Sequence, residues 1–375
     1  MRYLGFCLLL LPFGVSLSAG EAGPIPTGGL CYMGTWPHHV LVMDERKEAV
    51  VDRIELKTGV PFGLMLSADR KKLYATTIEQ SGIETIDLAT NKVIDSFVLD
   101  SGNRKERLAA YAIDKDGKYL YSIVAPTVKK IDRFDIEQAQ FITVDLAQHK
   151  IVRRVDYPKD LDVYGVTGLW GSYEGGLRIS PDGKFLYLFR ENILVFDTTD
   201  FKLVEKIDLS KPSFPGMDNV SFNLVDDAYQ NPNLVISLFV SSDPFVHKPA
   251  FGLATVNLDT RNVDFTPVGP YTSGLMGLFV SPDQTTGYTV SITGQGANRR
   301  TEFWAIDMNT KKLIKQVEFH GRRRFNFALS PSGKSLYIYV AGFEVDCFDS
   351  KTLQHTKTVD MGSDVTTNMV IVPSV

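Results

Sequence analysis

The phrase "ISPDGKFLYLF", residues 179–189, returns as "LSADRKKLYAT", "IDKDGKYLYSI", "VSPDQTTGYTV" and "LSPSGKSLYIY". A phrase recurring within units of roughly 45–50 residues constrains the fold more than composition does, because each copy builds one unit that cannot bury its apolar faces alone. Each copy reads as an apolar segment, a tight turn and an alternating strand. Pro at the first inner turn position fixes φ, and the Gly after it tolerates φ > 0. Leu186 and Leu188 alternate with Tyr187 and Phe189, as in a strand sandwiched between neighbouring layers.

A second signal sets the register. The segments "HHVLVMDER", "GIETIDLAT", "FITVDLAQ", "NILVFDTTD", "GLATVNLDT", "EFWAIDMNT" and "FEVDCFDSKT" each carry an apolar strand into Asp or Asn and a polar turn. These side chains favour such turns by bonding their own backbone. A further strand follows each time, from "AVVDRIEL" to "QHTKTVDM". Helical periodicity is nearly absent. The expected fold is all-β, a seven-bladed β-propeller of four-stranded antiparallel blades. The opening phrase is clear in five units and degraded in the first and fifth. The first unit has a second strand, "LCYMGT", with no first strand before it; "TTNMVIVP", residues 366–373, stands at the other end of the chain. Pairing of the N- and C-terminal strands would close the ring and leave no open sheet edge.

Ahead of the repeats, Arg2, an apolar run at 4–17 and the small residues Ser18, Ala19 and Gly20 have the order of a secretory signal peptide. The expected organisation is a signal at 1–20 and one propeller domain at 21–375, exported to the periplasm. No later stretch is apolar enough to cross a bilayer as a helix. A net charge of −4 and a pI near 5.9 argue against nucleic acid as main partner, and short basic runs such as "HGRRRF" read as solvated loops or a protein contact. Cys31 and Cys347 could pair in an oxidising compartment, yet they fall in different repeats, and two free buried thiols are the simpler expectation.

Motifs for nucleophilic catalysis, zinc hydrolysis, phosphate cradling or dinucleotide binding are missing. "GQGANR", residues 294–299, has no helix after it and reads as a turn. The adjacent His38 and His39 lack obvious further ligands. The long connections remain: "DSGNRKERLAA", "KDLDVYGVTGLWGSYEGG", "VSSDPFVHKPAFG" and "FHGRRRFNF". Irregular loops on a rigid scaffold usually carry function. Aromatics and arginines on a rim are the residue types that anchor protein interfaces, so Tyr164, Trp170, Tyr173, Arg322 and Arg323 are the candidate partner- or substrate-facing residues. No residue is assigned as catalytic, cofactor-binding or metal-binding. A stand-alone binding or scaffold propeller, and a lactonase-like hydrolase with acidic ligands converging on the central channel, both stay open.

The strand phrases "LSPSGKSLYIYVAG" and "ISPDGKFLYLF" are similar to YVTN-type propellers. The third unit, with its long excursion ending in "FDIEQAQFITVDL", resembles the β subunit of quinohemoprotein amine dehydrogenase, as do "GLATVNLDTRNVDF" and "DMGSDVTTNMVIV". The likeness to methylamine dehydrogenase heavy chains is weaker, for want of a long N-terminal extension. The resemblance implies a non-redox subunit of a periplasmic heterotrimer. Its small subunit would carry cysteine tryptophylquinone, and a larger subunit a pair of c-type haems (haem c). The propeller would hold the small subunit and wall off a primary-amine site. This chain has neither a CxxCH motif nor a quinone-forming sequence, in keeping with that role.

Overall fold

The computed structural model describes residues 26–79, 81–161, 176–190, 192–209, 219–223, 233–242, 245, 248–270, 274–322, 324–340 and 342–374. These residues form seven antiparallel sheets. In blade 4, for example, Leu177–Ile179, Phe185–Phe189, Ile193–Asp197 and Leu203–Ile207 lie side by side in chain order. Blade 1 is the exception. Its fourth position is Ala49–Glu55, followed inward by His39–Asp44, Gly28–Thr35 and the C-terminal strand Val365–Ser374. The expected closure is therefore present, with Leu30 opposite Val372 and Tyr32 opposite Val370. Gly29 has to be glycine at this crossing, because a Cβ there would run into the Val372 carbonyl and the Pro331 ring.

Seven apolar clusters fill the spaces between successive sheets. The cluster joining blade 7 to blade 1 contains Met33, Met43, Tyr337, Val345, Met369 and Ile371. That contact turns a row of sheets into a ring. Fully burying side chains such as Met369 and Ile371 contributes about 1.5–3 kcal/mol each, so the last strand is part of the core. Cys31 and Cys347 lie in the same cluster, buried and free. Separate repeats did not mean separate places, because the ring brings its ends together. Packed sheets stand about 10 Å apart, whereas a disulfide needs Cα atoms within about 4.4–6.8 Å. Burial pushes both thiols up, Cys347 to about 12.

The repeated phrase proves to be a small hydrogen-bonded device. Ser67, Ser180 and Ser281 donate their hydroxyls to Asp69, Asp182 and Asp283 two residues on, at 2.6, 2.6 and 2.5 Å. The same serine oxygens accept the N–H that starts the next strand, from Lys72, Phe185 and Thr286. The residue after the acid position adopts positive φ in all five copies: Arg70, Gly117, Gly183, Gln284 and Gly333. Blade 7 has Ser332 where the others have Asp. There the Ser332 oxygen accepts the Lys334 N–H at 3.3 Å, as the Asp does elsewhere, and Ser332 is itself held by Glu45 of blade 1, which takes its N–H at 3.1 Å and also its hydroxyl.

The turns after the third strands also repeat. Asp44, Asp87, Asp145, Asp197, Asn257, Asp307 and Asp349 each accept a backbone N–H from the turn that follows. Each turn then holds a non-glycine residue at positive φ: Glu48, Asn91, His149, Phe201, Arg261, Lys311 and Leu353. Such a conformation costs about 1–2 kcal/mol for an L-residue. Several of the side chains show what offsets it, because they reach the preceding blade. Asn91 accepts the Tyr32 hydroxyl at 2.8 Å, and His149 stacks on Phe97 at 4.5 Å. Phe201 stacks on Phe141 at 4.9 Å, Arg261 covers Phe185 at 4.2 Å, and Glu48 meets Lys357. Leu353 joins the cluster between blades 6 and 7.

Candidate protein-docking face

Because every blade is antiparallel, the 1–2 and 3–4 turns lie on one face of the ring. The 2–3 loops and the linkers to the next blade lie on the other. Exposed large apolar side chains divide sharply between these places. Val51, Ile94, Val98, Val152, Leu203, Val204 and Ile314 sit on fourth strands at the outer wall. All the rest, Trp36, Ile78, Ile131, Phe134, Ile136, Phe245 and Phe343, lie in 2–3 loops. Among the described residues the turn face has none. Single exposed apolar residues are ordinary, but several clustered on one hairpin, as Ile131, Phe134 and Ile136 are, mark a candidate interaction site.

The largest contribution comes from blade 3. Its second strand runs on as Tyr119–Lys129, and Phe134–Ile136 folds back beside it. The stretch "DSGNRKERLAA", expected as a loop, is mostly strand: Arg104–Ile113 lengthens to match. Its alternating charges are bound. Glu106, about 1% exposed, receives Arg104 at 2.7 Å and Arg154 at 2.6 Å, and Arg104 also meets Glu137 of the hairpin at 2.6 Å. A carboxylate this deeply buried requires such partners. The hairpin thus stands on an ionic base.

Of the five sequence-derived rim residues, Tyr164, Trp170, Tyr173 and Arg323 lie outside the described residues. Arg322 is on the expected face, in the linker to blade 7. Its guanidinium donates to the Glu344 carbonyl at 2.9 Å and to Asp346 at 2.7 Å. Asp346 also accepts the Thr358 hydroxyl. The equivalent third-strand position in blade 2 is Glu84, fully buried, which accepts Lys57 N–H, Thr58 N–H and the Thr58 hydroxyl at 2.7–2.8 Å. In both blades an acid from the third strand clamps the incoming linker. Sequence placed the 2–3 excursions at 125–138 and 241–249, the latter with Phe245, on this face, but it did not single out the hairpin's own apolar residues. Ile131, Phe134 and Ile136 look there like ordinary strand residues, and only the outward projection of the hairpin distinguishes them.

The "GQGANR" segment is a turn around Gly294 and a short 3₁₀ element, Gly296–Asn298. His38 and His39 stack at 4.7 Å, and His38 meets Glu55 at 3.5 Å. Burial, with the neighbouring His38 and Arg53, pushes His39 down. Among the described residues no three His, Cys, Asp or Glu side chains gather as a metal site, and no helix is long and apolar enough to cross a membrane.

No protein-family model matches the sequence, and no curated protein does. Solved structures do match the fold. A functionally unknown protein from Desulfotomaculum acetoxidans is 11% identical with a TM-score of 0.56, covering 92% of this chain and all of its own. A putative 6-phosphogluconolactonase from Bacteroides fragilis is 14% identical with a TM-score of 0.52, over 92% of this chain and 98% of its own. Dihydro-heme d1 dehydrogenase NirN is 13% identical at the same TM-score, over 94% of this chain and 76% of its own. At such identities the likeness is one of fold, and the chain is a seven-bladed β-propeller.

Proposed function

We propose that this chain is the non-redox propeller subunit of a periplasmic quinohemoprotein amine dehydrogenase. In this reading its loop face holds the quinone-bearing small subunit and helps enclose the primary-amine site. The observation that carries the docking role is that, away from the outer wall, every exposed large apolar side chain among the described residues lies on that face and none on the turn face. The resemblance of the third, fifth and last units supplies the partner. The amine-oxidising chemistry would belong to the cysteine tryptophylquinone of the small subunit and the haem c groups of the third. This chain would contribute a rigid wall that excludes water and fixes geometry.

The test is purification from the native source under mild conditions, followed by a visible spectrum and a quinone stain of the separated polypeptides. Haem bands and a small quinone-staining chain in stoichiometric amount are expected. A colourless solitary protein would overturn the proposal and leave a stand-alone scaffold propeller. Any bound protein lacking both groups would retain the docking role and remove the enzyme.

A further inference from the structure

Resting on the docking role just proposed, we infer that the blade 3 hairpin is the arm that grips the partner, adding its open strand edge to an extended segment of that protein. The backbone shows which way the edge faces. Lys130 N–H donates to Arg133, and Glu137 N–H to Pro126, both at 2.8 Å. Between them Phe134 is opposite Lys129, Asp135 opposite Val128 and Ile136 opposite Thr127. Antiparallel pairs alternate between bonded and non-bonded positions. Asp135 therefore turns its main-chain groups inward, while Phe134 and Ile136 turn theirs outward.

Nothing among the described residues takes up that edge. The fourth strand of the blade, Lys150–Asp156, ends its pairing at Gln140. Open edges in soluble proteins are usually guarded by charge, bulges or a covering loop. On this edge the charges of Arg133 and Asp135 are spent on each other at 2.8 Å, and it presents Phe134 and Ile136, both well exposed, with Ile131 fully exposed at the tip. Outward amides and apolar side chains on the same two residues are what strand addition uses: main-chain bonds for affinity, alternate side chains for specificity. The ionic base described above keeps the arm in shape before binding, which lowers the ordering cost of association.

Charge defines the partner further. Arg133 is neutralised by Asp135 at 2.8 Å and Asp132 at 3.4 Å. Lys129 and Lys130 are exposed and have no ion pair among the described residues. The segment that fits is extended, apolar at alternate positions, and carries a carboxylate where it passes the two lysines. A folded protein with such a strand at its surface is the occupant.

The experiment uses the full chain with whatever protein co-purifies from its native source. Ile136→Pro deletes an outward N–H and leaves the hairpin's own bonds intact. Phe134→Asp alters the same edge through its side chain, and so covers the case in which proline disturbs the fold. Each should reduce retained partner about 30-fold with an unchanged thermal midpoint. Reversing both lysines to Glu should weaken binding about tenfold at low salt and abolish its salt dependence. If partner is retained undiminished by both edge variants, the arm is overturned while the amine dehydrogenase proposal stands. Loss of a partner that carries neither quinone nor haem supports the arm and overturns the enzyme. A solitary wild-type chain overturns both.

Discussion

On the turn face every blade closes with an Asp or Asn bonded to its own turn and a residue at positive φ, and three blades add a serine bonded to an aspartate two residues on. The loop face is built from the same strands, yet its 2–3 connections share neither length nor composition, from the short bend at Trp36 to the long hairpin around Ile131. The turn face satisfies its polar groups internally and shows no large apolar side chain among the described residues. The loop face leaves tryptophan, phenylalanine and isoleucine in water. Repetition marks the part that holds the ring together, and irregularity marks the part free to meet something else.

Glu84 should give the largest effect, since it tests whether the linkers of the loop face are as structural as the turns opposite. Glu84→Ala leaves the buried Thr58 N–H and hydroxyl and the half-buried Lys57 N–H without this acceptor, a loss of about 3 kcal/mol. Glu84→Gln keeps one acceptor and should cost about half as much. Equal losses in chemical denaturation would mean that the clamp contributes only shape. On the turn face Glu45→Ala should cost about 2 kcal/mol, by stranding Ser332. A double-mutant cycle with Ser332→Ala should return a coupling of about 1 kcal/mol. Additive losses would show that the ring closes without this bond.

A smaller effect belongs to the phrase itself. The Ser180 hydroxyl, then the Lys184 N–H, hold Asp182 down to about 2. Its carboxylate therefore stabilises the fold above the ordinary value of 3.8, and this contribution is lost as pH falls from there through about 2. Asp182 is partly exposed, so solvent screening leaves less than about 1 kcal/mol. Ser180→Ala should flatten the acid limb of a stability profile between pH 4 and 2, whereas Trp36→Ala should leave it unchanged. The same flattening from both would remove the distinction between the faces.

What sequence alone disclosed follows this division. Turns are local, and Asp, Ser, Pro and Gly announce them by their own backbone chemistry, so blade number, strand order and the terminal closure were all readable. The hooks at Asn91, His149, Phe201 and Arg261 were not. Each occupies the same conformation with a different side chain, and its role depends on the blade behind it. Ser332 read as an ordinary turn residue in a clear copy, because the acid that holds it, Glu45, lies at the other end of the chain. Arg322 stood out by residue type, yet its fork is engaged by Glu344 and Asp346. Within the flagged excursion, Phe134 and Ile136 did not stand out for the opposite reason: an alternating apolar strand is ordinary until its neighbour is missing.

The smallest expected change in stability discriminates best between the faces. Trp36→Ala and Phe343→Ala remove large side chains that are already more than half exposed, 59% and 56%, so each should shift unfolding by no more than about 0.5 kcal/mol. Tyr187→Phe, opposite in kind, removes one hydroxyl that donates to the Leu258 carbonyl at 2.6 Å in a fully buried site. It should cost about 1–2 kcal/mol while leaving association untouched. If the loop-face alanines destabilise as much as the buried tyrosine variant, Trp36 and Phe343 are part of the fold. Unchanged stability together with weakened partner binding would make them surface kept for contact, since no folding term would then account for two large apolar groups held in water.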